Sequence, residues 1–261
     1  MTSLRIFFIG GLTAYRALIN WLSLWIFIPT LVITPIFQIL LFVYIGRSAG
    51  VQSDTFFVIG NAVQYAAVPC LFSMTNAITG ERYQQTLAYI LVSPAGRLPL
   101  FLGRALPVIL NAMFVAAFSL IVSGLIVGIH VPVSAWPGIA VVIVVSTFAC
   151  TGLGLICAAI GLRVRETAVL NNVIFGLLLV FTGANVAVSE LPGWMQAISE
   201  RIPLTHGIRA AREIAAGASL SHVSGLILTE LAIGAVYMAV GYYGLRLMEL
   251  SSRRSASIQI A

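Results

Sequence analysis

The chain contains no lysine and a single aspartate, Asp54, and from Ala105 to Leu162 it has no Asp, Glu, Lys or Arg. Without lysine there is no GxxxxGK[ST] loop, whose lysine must reach the β- and γ-phosphates, so this polypeptide is not itself a P-loop ATPase. Charged residues make up only 8% of the whole, too few to cover the surface of a soluble domain. Cysteine is scarce as well. Cys70, Cys150 and Cys157 are odd in number and all lie in apolar runs, which excludes a disulfide framework and leaves them as small apolar filler. The three histidines, His130, His206 and His222, fall on two separate loops at spacings that match no metal site. No nucleophile stands with a base, so no catalytic residue is assigned.

What the chain has in abundance is apolar sequence: 60% of residues are hydrophobic and the mean hydropathy is +1.04. A spanning helix needs roughly 20 such residues, and the runs predict six spans at about 21–45, 56–79, 98–129, 136–162, 168–188 and 223–248. The expected fold is an all-α integral membrane protein forming one domain over 1–261. Pro29 and Pro35 predict a kink in the first span, and Trp21 and Trp25 anchor its start at the interface. Residues 1–20 carry no small-residue cleavage site of the signal-peptide kind. Their 100° periodicity, with Leu4, Phe7, Phe8, Tyr15 and Leu18 on one face, predicts a helix lying on the membrane.

With the N-terminus inside, ten of the arginines fall on cytoplasmic flanks, and only Arg47, Arg201, Arg209 and Arg212 fall outside. The excess predicts both termini in the cytoplasm. Arg163, Arg165 and Arg253–Arg254 then read as topology anchors, with no nucleic-acid surface. Two connections are longer and more patterned than turns. On the inner side Tyr83, Leu87, Ile90 and Leu91 repeat at helical spacing across 80–93, ended by Ser93-Pro94. On the outer side 189–212 mixes Leu191, Trp194, Ile198 and Ile202 with Glu190, Glu200 and Arg201, punctuated by Pro192 and Pro203. This predicts two short helices that dip into the membrane and return, which requires cover from protein or water.

Glu230 is the one acid well inside a predicted span. A carboxylate there marks function or a buried partner, and Arg209 and Arg212 are the expected partners. Gln38, Asn61, Gln64, Phe72, Asn111 and Asn185 are candidates to line a substrate path, although hydrogen bonds between helices would account for the amides equally well. Gly124 and Gly128, four apart, offer a surface for close helix approach.

The stretch Gly80-Glu81-Arg82-Tyr83-Gln84-Gln85-Thr86-Leu87-Ala88, with Ser93-Pro94, Arg97 and Gly103-Arg104 after it, resembles the cytoplasmic coupling segment of ABC-2 type transporter permeases. It departs from that pattern at Gln85, where glycine is usual, and at Ala88, where an acid is usual. The outer stretch Leu191-Pro192-Gly193-Trp194, then Ile202-Pro203-Leu204-Thr205-His206-Gly207, looks like the same family's re-entrant segment. The resemblance covers nearly the whole chain.

It implies a permease that pairs with a second permease, identical or related, in a bacterial plasma membrane. Two separate ABC ATP-binding subunits would hold ATP and Mg, no cofactor being bound by this chain. Drugs or antibiotics, lipids or lipid-linked glycans would move outward. Glu81, Arg82, Gln85, Thr86, Leu87 and Arg97 would receive the ATPase, and Pro192, Trp194, Pro203 and His206 would form the outer gate. The rival expectation is a secondary transporter driven by an ion gradient. That class predicts inverted repeats and titratable groups at mid-membrane. The two halves of this sequence show no convincing repeat, and Glu230 stands alone.

Overall fold

A computed structural model describes residues 28–83, 97–164 and 166–255. The expected interfacial helix at 1–20 and most of the segment at 80–93, including Gln85, Thr86 and Leu87, lie outside those residues. The described elements are helical throughout. α1 (Thr34–Ala49) follows a wide π-turn at Ile28–Ile33. α2 (Asp54–Tyr65) runs through a second π-turn, Pro69–Ser73, into α3 (Met74–Tyr83). α4 is Arg97–Val127, α5 Trp136–Gly161, α6 Thr167–Phe181, α7 Gly193–Ser199, α8 Thr205–Ala215 and α9 Ser224–Ser255. Five stretches are long and apolar enough to cross a membrane: Leu31–Ala49, Asp54–Gly80, Ala105–Val127, Val133–Gly161 and Ser224–Met248.

Local chemistry sets the boundaries. Gly50 closes α1 in the left-handed conformation (φ 63°), as a helix C-terminus favours. Ser53 caps α2 by accepting the Phe56 N–H, and Asp54 sits at the positive end of its dipole. The Arg47 guanidinium grips the Asp54 carboxylate with bonds of 2.6–3.0 Å, closing the hairpin. In the first span Pro29 lies in the π-turn and Pro35 at the start of α1, and the second span also breaks its α-helical pattern at a proline. Pro69 has no N–H to give the preceding turn, and the helix widens there before resuming. Gly80–Tyr83 complete the last turn of α3.

The fifth expected span differs most from its sequence reading. α6 ends at Phe181, where the chain turns through Gly183 at φ 79°. Its 15 residues give about 22 Å of helix at 1.5 Å per residue, short of the hydrocarbon thickness of about 30 Å. It still carries the chain from one end of the bundle to the other. Thr75 Oγ1 donates to Asn171 Oδ1 (3.2 Å), Thr182 Oγ1 to Gln64 Oε1 (3.4 Å), and Asn61 Nδ2 to Asn185 Oδ1 (2.8 Å). α6 and the turn after it therefore run antiparallel to α2–α3 over most of their height.

The largest helix contact joins α5 to α9, and its register is parallel. Gly234 lies on Ala149, Gly152 on Tyr237 and Met238, Gly241 on Leu155 and Ile156, and Gly244 on Ala159. A Cβ on Gly152 would stand 2.7 Å from the Met238 backbone nitrogen, and one on Gly234 2.8 Å from the Ala149 Cα. Two parallel helices require the chain between them to return across the bundle, and α6 with its following turn makes that return. Gly154 does the same for α2–α3: its Cβ would stand 2.0 Å from the Cys70 carbonyl oxygen, in the π-turn. The small-residue contact expected at Gly124 and Gly128 is not made among the described residues, which leave open space at both.

Two alanine substitutions separate these cases. Gly154→Ala must push apart two backbones and is expected to lower the detergent-solubilised melting temperature by several degrees, an overpacking cost of about 1–3 kcal/mol. Gly124→Ala should leave the temperature unchanged or raise it slightly, since alanine favours a helix interior. Size-exclusion thermostability measurements on both variants make the comparison.

Candidate gate and anchoring site

The polar residues that the sequence scatters over five elements converge at the end of the bundle where α2, α5 and α9 begin. There α8 packs antiparallel to α5, with Gly207 against Ser146 and Gly138 against Ile214. Ser146 lies ten residues into α5, so α8 starts about 15 Å inside the bundle end. Seven of its residues, Thr205, His206, Gly207, Ile208, Ala210, Ala211 and Ile214, are buried. A helix that begins so deep brings four N–H groups that lack partners within the helix. In an apolar setting each unsatisfied group costs several kcal/mol.

Glu230, on α9, supplies what those groups need. Its side chain is fully buried. One carboxylate oxygen accepts the Leu204 N–H at 2.6 Å and the other accepts the Gly207 N–H at 3.1 Å. The negative charge faces the positive end of the α8 dipole. The expected pairing of Glu230 with Arg209 or Arg212 does not occur. Arg209 is bound instead to Glu200 Oε1 at 2.7 Å. Backbone N–H groups stand where a charged side chain is expected, and a sequence pattern does not display them.

Arg212 sits near the other end of α8 and touches no carboxylate among the described residues. Its Nε and one terminal nitrogen donate to the Phe56 carbonyl (3.2 and 2.9 Å). The same terminal nitrogen donates to Ala184 O (2.9 Å), and the other to Gly183 O (2.8 Å). The guanidinium lies 3.4 Å from the centre of the Phe56 ring, a cation–π contact. One side chain thus ties α8 to the first turn of α2 and to the turn that ends α6. Gly60 leaves room for it: a Cβ there would stand 2.3 Å from an Arg212 nitrogen.

Of the expected path residues, Asn61, Gln64 and Asn185 serve as interhelical ties. Each such bond contributes about 0.6 kcal/mol in a membrane. Gln38 and Asn111 are half-buried on α1 and α4, with amide nitrogens that have no hydrogen-bond partner among the described residues. Phe72 is half-buried in the π-turn of the second span. The expected gate residues divide. Pro203 and His206 are buried beside the α8 start, whereas Pro192, just before α7, and Trp194, in its first turn, are exposed, with Trp194 edge-on to Phe181 at 6.4 Å. His206 Nε2 lies 3.1 Å from the Glu200 carbonyl and 3.4 Å from its carboxylate. Both are acceptors, so Nε2 carries the hydrogen. Glu81, Arg82 and Arg97 lie on helical backbone at the opposite end of the bundle.

Replacing Arg212 with lysine keeps the charge but loses the fork that reaches three carbonyls. Arg212→Lys is expected to cost about 3 kcal/mol, since bonds from charged donors contribute about 1.5–3 kcal/mol each, and to lower the melting temperature clearly. Arg209→Lys, at a half-exposed ion pair, should change it little.

A family model described as ABC-2 type transporter matches residues 12–215. No curated protein matches the chain.

Proposed function

Since the chain belongs to the ABC-2 type transporter family, we propose that it is the permease of an exporter moving an amphipathic drug or antibiotic, a lipid or a lipid-linked substrate outward, driven by ATP hydrolysis on a separate subunit. The observation that carries the reading is the family match, which runs from residue 12 through both non-spanning connections to the last residue of α8. A permease of this family associates with an ABC ATP-binding subunit. Two copies of that subunit, holding ATP and Mg, and a second permease, identical or related, complete the proposed assembly. Both termini lie in the cytoplasm of a bacterial cell, and α7–α8 lie on the outer side.

The geometry suits this division of work. The last turn of α3, Gly80–Tyr83, opens the coupling segment at 80–93, and α2 begins at the opposite end under Arg212. A push on the segment would reach the gate through one continuous span. Buried amides on α1 and α4 and the apolar faces beside them suit an amphipathic cargo. A transporter driven by a proton gradient needs titratable groups within the membrane, and the carboxylate of Glu230 is already committed to the α8 backbone.

Glu81→Ala and Arg82→Ala, expressed with the cognate ATP-binding subunit, test the reading. Transport should fall at least tenfold in the double variant while the permease still inserts and keeps its melting temperature. ATPase activity should lose its response to substrate. Full transport and unchanged stimulation in the double variant would remove the coupling assignment.

A further inference from the structure

One residue in the described backbone other than glycine has a positive φ: Leu204, at φ 80° and ψ −27°. It follows Pro203 in a turn, at a position that glycine or asparagine usually fills. A branched side chain in the left-handed region is strained, and such strain persists only where surrounding structure holds it. The Leu204 side chain is fully buried, and its N–H makes the shorter of the two bonds to Glu230.

The two sides of this residue are held very differently. α8, after it, is buried against α2, α5 and α9. α7, before it, buries only Ser199. α7 is largely self-contained, with the Gln196 amide donating to the carbonyls of Ser189 and Leu191. Its bonds across Leu204 converge on Glu200, which His206 and Arg209 hold from α8. A fixed helix, a lightly packed helix and a strained residue between them form a hinge with two fastenings.

We propose that Leu204 is the hinge of the α7–α8 segment and that Glu230 is the positioning residue that latches it. While the carboxylate holds the Leu204 and Gly207 N–H groups, the left-handed turn is maintained and α7 stays folded over the bundle end. When α9 shifts and the carboxylate withdraws, Leu204 relaxes to an ordinary backbone conformation and α7 swings outward about it. The device gives the gate two discrete positions without unfolding α8, whose far end stays tied by Arg212. Its consequence for transport rests on the permease reading; the hinge itself does not. α9, which supplies the latch, lies beyond the residues that the family model matches.

The test uses the full chain in lipid nanodiscs, with Cys70, Cys150 and Cys157 replaced by alanine and spin labels placed at Ala197→Cys and Ala216→Cys. Labelled chain is diluted with unlabelled chain so that distances within one molecule dominate. The parent should give one distance. Glu230→Gln, which keeps the shape but offers one acceptor fewer, should populate a second, longer distance. Adding Leu204→Gly removes the left-handed penalty and should return the population toward the first distance by roughly tenfold, the shift such a penalty commands. A local collapse of α8 would not be rescued by glycine. A single unchanged distance in Glu230→Gln, or a second population that glycine does not reduce, overturns the proposal.

Should Glu230→Gln fail to fold, Leu204→Gly and Leu204→Ala decide the hinge. Both delete the same buried side chain, so the difference reports the backbone. The glycine variant should melt higher than the alanine variant; the ordinary order, alanine above glycine, overturns it. Loss of transport without a second distance would bear on the permease reading alone.

Discussion

A helix cannot begin inside an apolar bundle unless something accepts its first N–H groups, and here that acceptor is the carboxylate of Glu230. The bonds to Leu204 and Gly207 make the deep start of α8 affordable in a medium without water. The same bonds reconcile a buried negative charge with its surroundings, because the helix dipole supplies the opposite partial charge. With its N-terminus seated there, α8 presents Arg212 to the start of α2 and the end of α6. The carboxylate thus holds one end of α8 and the guanidinium the other.

The arginine in turn resolves a difficulty that α6 creates. That helix is too short to bring its last carbonyls out of the bundle, and helix C-termini leave four such groups without partners. Thr182 and Asn185 donate to the last-turn carbonyls of Leu178 and Leu179, Gly183 turns the chain sharply, and the buried carbonyls of Gly183 and Ala184 in that turn are met by the guanidinium. Below that point Thr182, Asn185 and Asn171 bond to Gln64, Asn61 and Thr75. The short helix is therefore held by polar bonds along its length, where the longer helices rely on packing. α5 and α9 show the contrast, with glycines from both faces allowing backbones to touch.

This division explains what the sequence revealed. The long spans were legible because twenty apolar residues in a row have few alternatives, and the two connections were legible from their punctuation. The end of α6 was not, since its apolar run continues to Val188 while the helix stops seven residues earlier, before the turn through Gly183. Gly124 and Gly128 matched a familiar spacing yet meet open space among the described residues, whereas Gly152 and Gly234 meet their neighbours across two helices. Spacing within one helix does not say which face a partner will cover. Asn61 and Asn185, candidates for a path, are bonded to each other across α2 and the turn after α6, the kind of interhelical bond that is the other reading of such amides. Glu230 stands out in the sequence as an intramembrane acid, but its partner is backbone, which no pattern of side chains displays.

The second span holds a special position in this arrangement. It is the only described element that reaches from the start of the coupling segment to the guanidinium of Arg212, and its wide turn at Pro69–Ser73 lies midway. At that turn it is pressed against Gly154 of α5, which itself packs along α9. Displacement of α2–α3 in the proposed cycle would therefore act on α8 from both sides: directly through Phe56 and Arg212, and through α5 and α9 at Glu230. If the two routes moved together, α8 would ride as a rigid body and the Leu204 turn would keep its shape. If they moved unequally, the weaker fastening would yield first. Arg212 makes four bonds to three carbonyls, whereas Glu230 makes two to a strained turn. The asymmetry places the yielding point at Leu204, on the side of α8 that carries the exposed α7.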